Sequence, residues 1–162
     1  MTSTTAVLVS AAALGTTAVG GAFLAFSSFV MPALGRLPAR EAVVAMQAVN
    51  VTAVSTIFMM TLFGSGALCL VTGWRAVVGW GTPAASWLLA GSAAYLIGVI
   101  GVTVAASVPR NDRLAALDPA SAPAAAIWAD YLSRWTAWNH VRTVAGLLSG
   151  AAFLVASGAR AL

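Results

Sequence analysis

The chain has 162 residues, of which 60% are hydrophobic and only 7% carry a charge. Soluble domains are about 25% charged, so a water-exposed domain of this length lacks the polar surface to cover its core. High hydrophobicity also excludes intrinsic disorder, and a single cysteine, Cys69, excludes a disulfide scaffold. The net charge of +4 comes from arginines at the ends of apolar stretches. They form no basic face with interleaved aromatics, so we expect no nucleic-acid partner.

Four long uncharged stretches divide the chain, at residues 1–35, 42–74, 76–109 and 143–159. A helix needs about 20 apolar residues to cross a bilayer, within a range of roughly 17 to 25. The sequence therefore predicts an all-α integral membrane protein in contact with the lipid bilayer. We expect a single four-helix transmembrane domain over residues 1–162, with helices at about 6–30, 42–72, 84–108 and 124–159. The first stretch lacks the positively charged N-terminal region of a signal peptide, so we expect that it is not cleaved and forms helix 1.

Proline residues mark the connections between these helices. Pro32 and Pro38 interrupt the first connection, and Pro109, Pro119 and Pro123 are expected to prevent a continuous helix from Val108 into helix 4. After Pro123, apolar residues recur at helical spacing. This pattern predicts an amphipathic helix that lies along the membrane surface or continues straight into helix 4.

Arginines are distributed unevenly between the two ends of the predicted bundle. The first and third connections carry or border Arg36, Arg40, Arg110, Arg113, Arg134 and Arg142. The opposite end has only Arg75 and Arg160. Positive charge is retained on the cytoplasmic side of membranes. We therefore expect a multi-pass protein of the cell membrane, with connections 1 and 3 in the cytoplasm and both termini outside.

Polar residues of three predicted helices converge at one membrane depth, near the cytoplasmic end. Helices 2 and 3 contribute Gln47, Asn50 and Asn111. Helix 4 contributes Trp135, Trp138, Asn139, His140 and Arg142. Positions 135, 138, 139 and 142 follow the i, i+3, i+4, i+7 spacing and form one stripe, and position 140 lies about 100° away from position 139, on its flank.

Each candidate also has a purely structural interpretation. Arg142 can extend to lipid phosphate, and Trp135 and Trp138 can be interfacial anchors. Asn111 can cap a short helix that starts at Asp112. The two polar residues of helix 2 can bridge helices.

His140 is the only histidine, which excludes two-histidine metal sites and bis-histidine haem within one chain. The membrane-embedded stretches contain no Asp or Glu that could complete a carboxylate metal site. A single haem on His140 is a weaker alternative, because no haem-attachment motif is present. Catalysis by Ser, His and an acid is also poorly supported, because Glu41 and Asp130 lie in polar segments.

At these residues the chain resembles the anthrone oxygenase-like family of small membrane proteins. The resemblance extends over nearly the whole chain, through residues 21–23, 29–34, 45–50, 108–111 and 135–143. Its most specific part is Trp-Asn-His-Val-Arg-Thr at 138–143. It implies a four-helix membrane bundle and, for some members, oxidation of an anthrone to an anthraquinone by molecular oxygen without a recognised cofactor. Ser107 departs from the family pattern, which tends to carry Asn before Val-Pro.

Our leading hypothesis is a cofactor-independent oxygenase that acts on a lipophilic aromatic, anthrone-like substrate. His140 would be the general base, and Arg142 would stabilise the enolate oxygen. The expected substrate-binding residues are Trp138, Asn139, Trp135, Asn50, Gln47 and Asn111. Among them, the tryptophans offer flat faces for the rings, and Asn139 and Asn50 offer neutral donors.

The alternative belongs to another class: a non-catalytic membrane subunit or a lipophile-binding protein that recognises a ligand or partner through the same stripe. Gly146 and Gly150 form a small-xxx-small motif. Such a motif allows helix 4 to pack closely on another helix, within the chain or in a homo-oligomer.

Overall fold

The computed structural model describes residues 3–54 and 57–159, which form five helices. Helix α1 comprises Ser3–Ala25, a π-helical segment Phe26–Val30 and a last turn Met31–Leu34. Helices α2 and α3 are Ala39–Val54 and Ile57–Val78. Helix α4 comprises Pro83–Tyr95, the π-helical segments Leu96–Gly101 and Thr103–Ser107, and Val108–Ala115. Helix α5 is Ala124–Gly158.

Four helices of the described residues are long and apolar enough to cross a membrane: Thr4–Leu34, Ile57–Val78, Pro83–Ala115 and Ala124–Gly158. Their outward faces carry exposed Leu14, Met60 and Ile97, which is the surface that a bilayer covers. The predicted all-α membrane fold is thereby confirmed. The chain is a multi-pass membrane protein in a lipid environment.

The second predicted helix, over residues 42–72, corresponds to two described segments, α2 and α3, and residues 55 and 56 between them lie outside the described residues. Among the described residues, the apolar span in this region is α3, and α2 carries Gln47 and Asn50.

Pro109 does not end the third predicted helix. It lies in the first turn of Val108–Ala115, where the missing N–H is tolerated, and the preceding π-helical segments shift the hydrogen-bonding register. The residues after Pro123 continue straight into the membrane span as one helix of 35 residues. The sequence allowed either a helix along the membrane surface or a helix that continues straight into helix 4, and the structure has the second arrangement.

Buried apolar side chains form two clusters. One lies among α1, α3, α4 and α5 and includes Val19, Phe23, Leu62, Tyr95 and Phe153. The other involves the end of α1, α2, the end of α4 and the start of α5, and includes Met31, Val43, Met46, Leu114 and Trp135. The polar residues considered below lie where the two clusters meet, because Phe23 of the first and Trp135 of the second contact the same arginine.

Helices α1 and α5 approach each other closely at two glycines. A Cβ at Gly146 would lie 2.9 Å from the Cα of Gly20, and a Cβ at Gly20 would lie 2.9 Å from the backbone nitrogen of Leu147. A Cβ at Gly150 would overlap with the side chain of Thr17 of α1. The small-xxx-small motif is therefore used within the chain, and it gives no support to a homo-oligomer.

Gly20→Ala is expected to lower the free energy of unfolding by about 2 kcal/mol, because the added methyl must displace backbone atoms of α5. Gly21→Ala is the matched control, since a Cβ at Gly21 has no atom within 4 Å in the described structure. It should be neutral or stabilise by a few tenths of a kcal/mol. Denaturant titration in detergent, followed by tryptophan fluorescence, measures both variants. Equal stability of the two variants would contradict the close helix contact.

Candidate functional site

Arg142 of α5 is buried between the two apolar clusters, with 4% of its surface exposed. Its Nη2 donates a hydrogen bond to Oδ1 of Asn139 at 2.8 Å, and its Nη1 lies 3.5 Å from Oγ1 of Thr103. Its guanidinium carbon lies 4.1 Å from the ring centroid of Phe23 and 5.0 Å from that of Trp135. The charge is therefore held by aromatic faces and neutral oxygens.

Arg142 has no carboxylate partner in residues 3–54 and 57–159, where the ion pair found joins Arg134 to Asp130 at the surface. The Nε of Arg142 is also buried without a hydrogen-bond partner in that part of the chain. A buried charge is costly unless it is paired, and an ionisable residue inside a membrane usually marks a functional site. Arg142 thus offers a positive charge with unused hydrogen-bonding capacity.

Asn139 holds this arginine in place and is itself fully buried. Its Nδ2 donates to the carbonyl of Phe23 and to Oγ of Ser27, each at 2.7 Å, while its Oδ1 accepts the bond from Arg142. Both amide hydrogens are therefore used on α1. Asn139 positions Arg142 and, contrary to the sequence-based expectation, has no hydrogen left to donate to a substrate.

Asn111 lies inside the last turns of α4 and points its side chain at α5. Its Oδ1 accepts hydrogen bonds from the hydroxyl of Tyr131 at 2.9 Å and from Nε1 of Trp135 at 3.0 Å. The expected cap at Asp112 is therefore wrong, because Val108–Ala115 already contains both residues. Tyr131 stacks between Trp128 and Trp135, with ring centroids 5.7 and 6.2 Å apart.

Two further polar groups near this cluster are buried without a partner in the described residues: Nδ2 of Asn50 and Oγ of Ser107. Buried polar groups are normally paired. Donors on α2, α4 and α5 are therefore left without a partner among the described residues.

Gln47 has a different environment. Its Nε2 donates to the carbonyls of Leu114 and Leu117 at 2.8 and 3.0 Å, and these oxygens are the free acceptors at the end of α4. The geometry favours the helix-bridging interpretation of Gln47 over a role in substrate binding.

His140 and Trp138 are not brought to this cluster. Trp138 lies at the edge of the predicted stripe and is 40% exposed. His140 is exposed as well, because position 140 is turned by about 200° from position 142 around the helix. It lines an outer groove of about 670 Å³ that is otherwise apolar, between α4 and α5, with Ile97 and Val144.

A second groove, of about 500 Å³, opens between the last turns of α4 and the start of α5. Its lining includes Arg110, Arg113, Arg134, Asp130 and Tyr131. Because Asp130 is paired with Arg134, the groove carries an excess of positive charge. Tyr131 lines this groove and stacks on Trp135, whose ring contacts Arg142, so these two rings connect the groove with the buried site.

Three residues of the site escaped the sequence-based search: Ser27, Thr103 and Tyr131. Ser27 and Thr103 lie in π-helical segments, which often occur at functional sites but have no sequence signature. The only available signal for Tyr131 was its helical spacing of four residues from Trp135.

Comparison with known proteins supports the family indicated by the sequence. A family model described as anthrone oxygenase matches residues 55–152. This range contains Thr103, Asn111, Tyr131, Asn139 and Arg142. No curated protein matches the chain, and no solved structure does. Since the family model covers more than half of the sequence, the chain belongs to the anthrone oxygenase family.

Proposed function

We propose that this protein is a membrane-embedded oxygenase that uses molecular oxygen to oxidise a lipophilic aromatic, anthrone-like substrate without a cofactor. The observation that carries the proposal is Arg142, buried between aromatic rings with no carboxylate partner in residues 3–54 and 57–159. Family membership supports the type of reaction, and the position of Arg142 supports where the reaction takes place.

The chemistry requires stabilisation of one negative oxygen. Loss of the benzylic proton of an anthrone gives an enolate, whose carbon reacts with O₂ to form a C–O bond and, after protonation, a hydroperoxide. Loss of water then breaks the O–O bond and the remaining C–H bond and leaves a carbonyl group. The balance is anthrone plus O₂ to anthraquinone plus water. Positive groups aimed at such an oxygen lower the barrier strongly in a dry site, and Arg142 is that group here.

The aromatic residues divide into two sets. Phe23 and Trp135 lie against Arg142, and Phe26 lies 5.8 Å from Trp135 between ring centroids. These interior rings would hold a flat substrate. Trp138 faces outward, which fits an interfacial anchor.

An oxidation assay tests the proposal directly. The protein in lipid nanodiscs is mixed with emodin anthrone, and quinone absorbance and oxygen consumption are followed with correction for spontaneous oxidation. We expect quinone formation above background, with one O₂ consumed per quinone. Folded protein that never exceeds the background across several anthrones and related phenols would favour the non-catalytic membrane subunit or lipophile-binding protein.

We also propose that the protein lies in the cell membrane with connections 1 and 3 in the cytoplasm. Arg142 is buried and does not contribute to surface charge, and Arg160 lies outside the described residues. Five arginines remain at one end of the bundle, Arg36, Arg40, Arg110, Arg113 and Arg134, against Arg75 at the other. This bias supports both termini outside.

Single cysteines test this orientation in a background without Cys69, which is buried. Cysteines at Ala39 and Ala120 should resist a membrane-impermeant thiol reagent in intact cells, whereas a cysteine at Thr82 should be labelled. Permeabilised cells provide the control, in which all three positions should react. Labelling of positions 39 and 120 in intact cells, with protection of 82, would invert the topology.

A further inference from the structure

We infer that the interior site takes its ligand as an organic anion that has already lost its proton, and that no protein side chain is the base at this site. The inference rests on the proposed function for the identity of the ligand, an anthrone enolate. It concerns binding and ionisation, which can be measured without oxidation.

Arg142 contacts Phe23 of α1, Thr103 of α4, and Trp135 and Asn139 of α5. None of these four side chains is acidic or basic, and the titratable group beside them is Tyr131, which stacks on Trp135. The guanidinium keeps its charge in proteins, so a neutral ligand would leave this charge unpaired. An anion would supply the missing counter-charge.

No side chain in the described residues is placed to take the proton of the ligand. The four carboxylates of the chain, Glu41, Asp112, Asp118 and Asp130, are all exposed. His140 lies on the outer face of α5, and the Tyr131 hydroxyl donates its proton to Asn111. Within residues 3–54 and 57–159, no group of ordinary basicity therefore reaches a ligand beside Arg142. The ligand proton passes to water or hydroxide before the ligand enters the site.

The ligand can reach the buried site along a positively charged groove. The groove beside Tyr131 carries Arg110, Arg113 and Arg134, and such a positive groove attracts anions from the interface. Tyr131 lines this groove and stacks on Trp135, which contacts Arg142. An enolate formed at the membrane surface therefore meets positive charge along its path past Tyr131.

Anaerobic titration of anthrone with the protein in nanodiscs tests this inference at a fixed, mildly alkaline pH. The enolate absorbs at longer wavelength than the ketone, so its fraction is read from the spectrum. An opposite charge within about 4–6 Å shifts an ionisation equilibrium by about 10- to 10³-fold. We expect wild-type protein to raise the enolate-to-ketone ratio of bound anthrone at least about tenfold above protein-free nanodiscs.

A matched pair of variants at Thr103 separates charge from shape. Thr103→Asp places a carboxylate beside Nη1 of Arg142 and should abolish the tenfold excess, whereas Thr103→Asn, similar in size but neutral, should retain more of the excess than Thr103→Asp does. Arg142→Gln, which removes the charge, should also abolish it and serves if Thr103→Asp fails to fold. His140→Ala should keep the excess within about threefold, because the imidazole does not face the site.

Wild-type protein without an enolate excess would overturn the inference. So would an excess that survives both Thr103→Asp and Arg142→Gln, or one that is lost in His140→Ala. Failure of the proposed function gives a different pattern. A protein that never makes quinone can still accumulate enolate without oxygen, and one that makes quinone without enolate accumulation contradicts this inference alone.

Discussion

Arg142→Gln is expected to lower kcat/KM for anthrone oxidation by about 10²- to 10³-fold, the size of effect seen when an oxyanion donor is removed. The loss should include kcat, because charge on the substrate oxygen is stabilised through the transition state. Loss of stability should not account for it. Arg142 has no carboxylate partner in the described residues, so its removal leaves no buried opposite charge without compensation.

Two other substitutions make this result specific. Arg142→Lys keeps a charge but loses the planar fork, and we expect its activity to fall between those of wild type and Arg142→Gln. Arg134→Gln removes an exposed arginine from the same helix, whose pairing with Asp130 is worth little. It should change kcat/KM by less than about threefold. Activity of Arg142→Gln within threefold of wild type would place the reaction elsewhere.

Much of the fold could be predicted because membrane helices leave a strong trace in sequence. Gaps between charges located the four apolar spans, since a bilayer penalises charge along about 20 residues. The helical period placed positions 135, 138, 139 and 142 on one stripe, of which Trp135, Asn139 and Arg142 are buried and Trp138 is 40% exposed. These features depend on neighbouring residues in one helix, and sequence spacing reports them directly.

Other features depend on contacts between distant segments. Gln47 caps the end of α4 through carbonyls about seventy residues further along the chain, and no local pattern indicates such a partner. The π-helical segment that carries Thr103 also has no sequence signature. His140 was grouped with Arg142 because it is close in sequence, yet a helix turns by about 100° per residue and separates them. Its role as base stays a prediction, and the geometry favours ionisation of the ligand outside the site.

Asn139→Leu is expected to lower the free energy of unfolding by about 3 kcal/mol, because it leaves three buried groups without their partner. These are the carbonyl of Phe23, the hydroxyl of Ser27 and the Nη2 of Arg142. Ser28→Ala is the control, since Ser28 is an exposed neighbour whose hydroxyl bonds only within its own helix turn. It should change stability by less than about 0.5 kcal/mol. Denaturant titration in detergent micelles measures both variants.

A double-mutant cycle with Arg142→Met shows whether Asn139 acts through the arginine. Part of the loss in free energy of unfolding caused by Asn139→Leu is expected to arise because the Arg142 guanidinium loses its hydrogen-bond acceptor. That part should disappear when Arg142 is replaced by Met. The cost of Asn139→Leu should therefore be smaller by at least about 1 kcal/mol in the Arg142→Met background. The rest of the cost, from the two groups on α1, should persist in both backgrounds. Identical costs in the two backgrounds would mean that Asn139 only joins α1 to α5, and that Arg142 is oriented by its aromatic neighbours alone.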